Sequence, residues 1–273
     1  MGRSGTTLLL RLLDSHPEIF LVPIDSMLLT HFLPSFRATG DAETFEEAFI
    51  ARYSEMMRKP LQREEGIAYL RQVLREHLSV EKALARTLFR DLLQALAYQY
   101  PVEGRCIWLE KTPKNEFYLR EIFENFPKAR IIFNVRDPRA VLASFKKGNI
   151  PNTTPEEVAT SWSTRINTLL KFLTERPDLK ERVFLVRYED YVSSGDATLS
   201  RMLNFIGLDT QFRAEPTFFG KPFAGNSFDP SSNMRGELDS SKIDSWRKEL
   251  TQDEAATVAR FARFEMSLLG YGE

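Results

Sequence analysis

The pentapeptide Arg3-Ser4-Gly5-Thr6-Thr7, running straight into the apolar stretch Leu8 to Leu13, limits this chain more than any other feature. A turn of small residues feeding a helix leaves the first-turn N–H groups without intrahelical acceptors, at the positive end of the helix dipole. With two hydroxyls and a guanidinium alongside, the segment suits a phosphate. It departs from the Walker pattern G-x-x-x-x-G-K-[ST], because Thr6 stands where the lysine would be and the cation, Arg3, comes two residues before Gly5. The alternative for this stretch is an ordinary serine/threonine cap on a helix.

A phosphate-cradling loop normally follows a buried strand, yet only Met1 and Gly2 stand before Arg3. The expectation is a truncated chain, or another segment in place of the first strand. Leu8 to Ser15 reads as helix, stopped by His16-Pro17. Helical patterns follow over Asp25 to Phe36, Asp41 to Arg58, Glu64 to Leu78 and Ser79 to Tyr100, so residues 25–100 form a helical block. "RCIWLE" (Arg105 to Glu110), "ARIIFNVR" (Ala129 to Arg136) and "RVFLVRY" (Arg182 to Tyr188) read as buried parallel strands, each followed by a helix. The helices are Asn115 to Asn125, Pro138 to Lys147, Thr154 to about Glu175, Asp196 to Gly207 and Thr251 to about Leu269. Asp137-Pro138 and the capping box Thr251-Gln252-Asp253-Glu254 supply start signals. Phe219 to Ser241, dense in Gly, Ser, Asn and Pro, reads as a binding loop or lid. The pattern is α/β, in one domain over residues 1–273.

Lys and Arg (37) balance Asp and Glu (38), so no global field recruits nucleic acid or an acidic membrane, and any anion is held locally. Cys106 is the single cysteine, which excludes an intrachain disulfide and suggests a reduced, cytoplasmic protein. No apolar run approaches the roughly 18 residues of a membrane helix, and no charged-then-apolar leader is legible before the loop, so the expectation is a chain without a signal peptide.

A second anion site is legible in "FNVRDPRAVLASF". Arg136 ends a strand, Asp137-Pro138 opens a helix, and Ser144 lies two turns along it on the face shared with residues 137, 140 and 141. An arginine and a hydroxyl on one ledge suit a phosphate. The alternatives are a carboxylate partner for Arg136 and a backbone acceptor for Ser144.

Arg3 to Thr7 resembles the 5′-phosphosulfate loop, and Arg136 to Ser144 resembles the 3′-phosphate motif, of the sulfotransferases that use 3′-phosphoadenosine 5′-phosphosulfate (PAPS). The likeness continues through "LLDSHPEI", "EKTPKN", "VRYEDYV", "TLSRMLNFIGL" and "SWRKELT…LLGY", and is closest to the branch with the bacterial and tyrosylprotein sulfotransferases. It implies a P-loop-like three-layer fold, with a central parallel sheet flanked by helices and a helical insertion after the phosphate loop. It also implies in-line transfer of a sulfuryl group from PAPS to an acceptor hydroxyl or amine, without metal.

On this resemblance Arg3, with Lys111 of "EKTPKN", faces the leaving oxygen, while Ser4, Gly5, Thr6 and Thr7 donate hydrogen bonds to the phosphosulfate. Glu110 orients Lys111. Asp25 stands about where the branch carries its general base; it also suits the N-cap of the 26–36 helix, and His31 is a second candidate base. Tyr188 contacts the nucleotide or packs in the core, and Arg235 resembles part of a late element over the 3′-phosphate. Phe32, Phe36 and Phe49 are candidates for an apolar acceptor wall. His16 shapes its turn, Lys146-Lys147 forms a solvated helix end, and Cys106 reads as an inert core thiol. The acceptor is open among small molecules, lipids, sugars and peptides, and nothing in the sequence specifies an oligomeric state. Competing functions are a P-loop nucleotide-dependent kinase and a non-catalytic nucleotide-binding relative.

Overall fold

The computed structural model describes residues 2–14, 16–22, 25–56, 60–78, 85–98, 100, 104, 106–148, 153–211 and 240–272. Helix α1 (Thr6–Asp14) and strand β1 (Ile19–Leu21) lead into a π-helical turn over Leu28–Phe32. Helices α2 (Leu33–Thr39), α3 (Ala42–Met56), α4 (Pro60–Leu78) and α5 (Ala85–Leu96) precede β2 (Ile107–Leu109) and α6 (Leu119–Asn125). Then come β3 (Ile131–Val135), α7 (Pro138–Lys147), α8 (Pro155–Glu175) and β4 (Val183–Arg187). Helices α9 (Tyr188–Ser193), α10 (Gly195–Ile206), α11 (Trp246–Glu249), α12 (Gln252–Phe261) and α13 (Arg263–Leu268) complete the described elements.

Local chemistry places several of these ends where the sequence reading put them. Asp137 caps α7 by accepting the Arg139 N–H, with Pro138 in the first turn. Thr154 with Glu157 and Thr251 with Glu254 form complete capping boxes on α8 and α12. Other elements differ. β1 was not anticipated, being three residues long and too short to display an alternation. The helix expected from Asp25 begins only at Leu28, after a left-handed Met27 (φ 56°). The expected terminal helix breaks at the buried Ala262 (φ −110°) into α12 and α13.

The described residues pack as two compact units. In the first, drawn from Met1–His16, Arg130–Gly220 and Asn233–Glu273, β3 and β4 pair in parallel, with Ile131 opposite Val183 and Val135 opposite Arg187. Its core joins Val141 and Leu142 of α7, Val158, Trp162 and Ile166 of α8, and Val258, Met266 and Tyr271. In the second, drawn from Pro17–Ala129, β1 and β2 pair in parallel, with Ile19 opposite Ile107. Its helical part is held by Phe32, Phe45 and Phe49, which meet edge-on or stacked, and by Leu70, Leu74, Leu88, Leu92 and Leu96. Aromatic packing within the helices thus buries Phe32 and Phe49 in the core.

A buried polar network closes the first unit. The Asp137 carboxylate forks onto the Arg139 guanidinium at 2.8–3.2 Å, and Arg139 Nη2 donates to the Gly272 carbonyl at 2.7 Å. Glu189 Oε1 accepts the Asp137 N–H at 3.1 Å, and Glu189 Oε2 accepts the Tyr271 hydroxyl at 2.9 Å. Each buried polar group here has a partner, which is the condition for burying it at tolerable cost.

Two outcomes follow from this packing. Tyr53 donates its hydroxyl to Ala95 O at 2.9 Å across α4, and a Cβ at Gly66 would overlap that hydroxyl and stand 3.1 Å from Ala95 O. Gly66→Ala should therefore lower the melting temperature by about 2–8 °C through overpacking, although alanine normally favours a helix interior by about 0.5–1 kcal/mol; calorimetry checks the sign. Burial, opposed by its hydrogen bonds, raises the Glu189 carboxyl above its ordinary value. A raised folded-state value means that charging Glu189 costs stability as pH rises from about 4.5 through that value. The stability of Glu189→Gln relative to the parent should accordingly increase between pH 4.5 and 7 in urea titrations; a constant difference rules this out.

Candidate functional site

The loop before α1 is drawn tight by two left-handed residues, Arg3 (φ 66°) and Gly5 (φ 81°). Gly5 is required: a Cβ there would lie 2.7 Å from both Tyr188 Cε2 and Tyr191 Oη. The Tyr191 hydroxyl donates to Gly5 O at 3.1 Å, and burial holds this phenol well above its ordinary value, so it remains a donor. Leu8 and Leu9 N–H groups bond back to Gly5 O. The Thr6 and Thr7 amides thus occupy the first turn, where a helix has no acceptor of its own to offer them. Arginine in the left-handed region is an observed strain of about 1–2 kcal/mol, of the kind that accumulates at binding sites.

The second motif lies against this loop within the same unit. Arg3 Nε donates to Ser144 Oγ at 3.0 Å, and Arg3 Nη2 donates to Ser144 O at 3.2 Å. Arg136 spreads its guanidinium over the Tyr188 ring, 4.2 Å from the centroid, and donates to the carbonyls of Arg3 (3.4 Å) and Lys242 (3.3 Å). Asn134 Nδ2 donates to Ser4 O at 2.9 Å, and Trp162 Nε1 donates to Arg136 O at 2.9 Å. Arg3, Ser4, Gly5, Arg136, Ser144 and Tyr188 therefore converge, although they are scattered over the sequence. Among the described residues Arg136 donates to the carbonyls of Arg3 and Lys242, and Ser144 Oγ accepts from Arg3.

This neighbourhood fits a polyanion. Buried Ser4 Oγ and Arg136 Nε receive no hydrogen bond from, and donate none to, the described residues. Orphaned donors at a loop that also carries the Arg3 guanidinium and leads into the first turn of α1 call for acceptor oxygens such as phosphate supplies. Arg235, and the 219–241 loop up to residue 239, lie outside the described residues.

The second unit gathers the other candidates. The Lys111 ammonium is ion-paired with Asp25 Oδ1, both side chains being about 30% exposed. Arg52 Nε and Nη2 donate to Asp25 O at 2.9 and 2.6 Å. The N-cap alternative for Asp25 fails because the helical turn begins at Leu28, with left-handed Met27 (φ 56°) in the cap position and no side-chain cap bond. Glu110 does not orient Lys111. Its Oε1 accepts Ser26 N–H (3.3 Å), Ser26 Oγ–H (2.7 Å) and Thr112 Oγ1–H (2.5 Å), and its Oε2 accepts from Asn115 (2.8 Å). Glu110 thus ties the segment carrying Asp25 to the segment carrying Lys111. Sequence reasoning missed Ser26, Thr112 and Arg52, whose roles are hydrogen bonds over long sequence separations.

Other residues singled out in the sequence have partners of their own. His31 is exposed and packs edge-on against Phe32, 5.3 Å between centroids. Cys106 is exposed rather than in the core; its thiol donates to Glu18 at 3.1 Å, and that hydrogen bond pushes its ionisation up. Lys146 is bound to Glu254 at 2.7 Å, not merely solvated. Among the described residues no group of three or more His, Cys, Asp or Glu could hold a metal, and no helix is long and apolar enough to cross a membrane.

Comparison with known proteins agrees with this geometry. Residues 1–212 match the profile of the sulfotransferase family. Nodulation protein NoeE of Sinorhizobium fredii (strain NBRC 101917 / NGR234) is 24% identical over 98% of this chain, which spans 64% of that relative's length. A Caenorhabditis briggsae protein named "Putative protein-tyrosine sulfotransferase" is 22% identical over 98% of this chain and 86% of its own. The fold is similar to the sulfotransferase domain from the curacin biosynthetic pathway (TM-score 0.57, 19% identity, 99% of this chain and 95% of that one). It is also similar to the sulfotransferase domain from the Synechococcus PCC 7002 olefin synthase (TM-score 0.56, 21% identity, 94% and 90%). The chain, with its arginine-bearing loop and its Arg136 to Ser144 ledge, belongs to the sulfotransferase family.

Proposed function

We propose that this protein transfers the sulfuryl group of PAPS to an acceptor hydroxyl or amine and releases adenosine 3′,5′-bisphosphate. The observation that carries this reading is the convergence of Arg3 and the Ser4 to Thr7 loop with Arg136, Ser144 and Tyr188 in one unit. Two guanidinium groups and a helix N-terminus suit a nucleotide with separated phosphates better than ATP, which lacks a 3′ phosphate. A kinase reading lacks the lysine after Gly5. The same reading carries with it a P-loop-like, three-layer arrangement.

The bound nucleotide would supply the activated sulfuryl group, and the chain's own task is positioning and charge stabilisation. Ser4 Oγ and the Thr6 and Thr7 amides and hydroxyls hold the 5′ end, Arg3 adds a positive charge there, and Arg136 with Ser144 holds the 3′-phosphate. Arg3 then exchanges its bonds to Ser144 for bonds to the nucleotide, freeing the Ser144 hydroxyl. Tyr188 keeps the Arg136 guanidinium flat. Asp25 accepts the proton of the acceptor, and Lys111, paired with it, supplies the second cation for the leaving oxygen. Membership of a family that includes a relative named for protein tyrosine supports a hydroxyl acceptor.

Adenosine 3′,5′-bisphosphate should raise the melting temperature substantially more than ATP does, and Arg136→Ala should remove most of that difference. Equal responses to the two nucleotides in differential scanning fluorimetry would overturn the 3′-phosphate assignment. Asp25→Asn should lower kcat about 100-fold or more, as loss of a general base does, with bisphosphate binding retained; in a screen of acceptors with labelled PAPS, unchanged turnover removes Asp25 from its role.

A further inference from the structure

We infer that Tyr271 is a positioning residue for the 3′-phosphate ledge, acting through Glu189 on the backbone that carries Arg136. The inference rests on the reading that Arg136 takes the 3′-phosphate. Its own support is geometric. The parallel register sets Val135 opposite Arg187, and the pairing continues past the strand ends through side chains. Arg136 lies over Tyr188, and the Asp137 N–H meets Glu189 Oε1. Two consecutive residues of one chain segment are thereby fixed by two consecutive residues of the other.

Glu189 Oε1 holds the Asp137 N–H, while Oε2 accepts the buried Tyr271 hydroxyl at 2.9 Å and faces Arg187 Nε at 3.9 Å, so the phenol is the hydrogen bond that orients the carboxylate. The phenol itself is anchored. Its ring stacks edge-on with Trp162 at 6.1 Å, the tryptophan whose indole N–H bonds to Arg136 O, and Arg187 covers it at 4.4 Å. The next residue, Gly272, accepts from Arg139, whose guanidinium holds the Asp137 carboxylate. Tyr271 therefore touches both groups that hold the peptide between Arg136 and Asp137, Glu189 on its N–H and Trp162 on its C=O, while Gly272 reaches the Asp137 carboxylate through Arg139. A hydroxyl in this place touches no nucleotide; its effect is to keep the Arg136 guanidinium aimed, and second-layer hydrogen bonds of this kind commonly change affinity by tenfold or so.

Isothermal titration with adenosine 3′,5′-bisphosphate and with adenosine 5′-monophosphate isolates the contribution of the 3′-phosphate as a ratio of affinities. Tyr271→Phe should reduce that ratio by about fivefold or more, as expected for a buried acceptor left without its donor, while leaving the monophosphate affinity unchanged. Glu189→Asp, which keeps the charge and shortens the reach, should lose the same ratio. Glu189→Gln, which retains an acceptor for Asp137 and can exchange hydrogen-bond direction with Tyr271, should keep it. A parental ratio in both Tyr271→Phe and Glu189→Asp, or an equal loss for both nucleotides, overturns the inference while leaving the donor assignment intact. No preference for the bisphosphate in the parent protein overturns the donor assignment and this inference together. Unliganded melting curves of each variant confirm folding at the assay temperature, and Glu189→Asp carries the test if Tyr271→Phe does not fold.

Discussion

Everything proposed for the donor side depends on the parallel pairing of β3 with β4, because that register delivers Arg136 and Asp137 to Tyr188 and Glu189. A shift by one residue would put every side chain of the strand on the opposite face. It would also leave the Asp137 N–H without its carboxylate. The strands are only five residues long, so the register gains much of its definition from contacts beyond the ladder: the Trp162 indole on Arg136 O, the Asp137 cap on α7, and the Tyr188 and Tyr191 rings against Gly5. The same contacts that define the strand pairing also bring the loop of Arg3 alongside the ledge of Ser144.

Charge is handled differently in the two units. In the first, carboxylates are buried and matched, as Asp137 with Arg139 and Glu189 with Tyr271, whereas Arg3 is exposed and Arg136 is only half-buried, making bonds to neutral oxygens. An arginine bonded to carbonyls keeps its full charge available for an incoming anion, which a carboxylate partner would cancel. In the second unit Lys111 is already neutralised by Asp25.

The parts of this arrangement that were legible in the sequence are those encoded locally. Arg3 to Thr7, Asp137-Pro138 and the Thr154 and Thr251 capping boxes announce themselves because a cap or a phosphate loop is built from neighbours in the chain. The strand cores over Ile131–Val135 and Val183–Arg187 were also readable as apolar runs. Asp25 could be read as a cap because aspartate before an apolar stretch usually is one; the fold overrides this by tying Ser26 to Glu110, 84 residues away. Cys106 was assigned to a core because its strand was taken two residues too early. Glu189 and Tyr271 were invisible for a different reason: each looks ordinary in its own segment, and only their meeting over 82 residues gives either a role. β1 was beyond reach because three apolar residues carry no period.

The left-handed backbone at Arg3 filters which amino acids can occupy that position on two grounds at once. Valine or isoleucine is refused by the geometry before charge is considered, since branched side chains tolerate positive φ worst. Glycine or asparagine would sit there comfortably and bring no cation. Lysine meets both demands but lacks the planar fork that reaches the hydroxyl and the carbonyl of Ser144 together. Relatives that replace this arginine by lysine would therefore be expected to hold their ledge serine less rigidly when no nucleotide is bound.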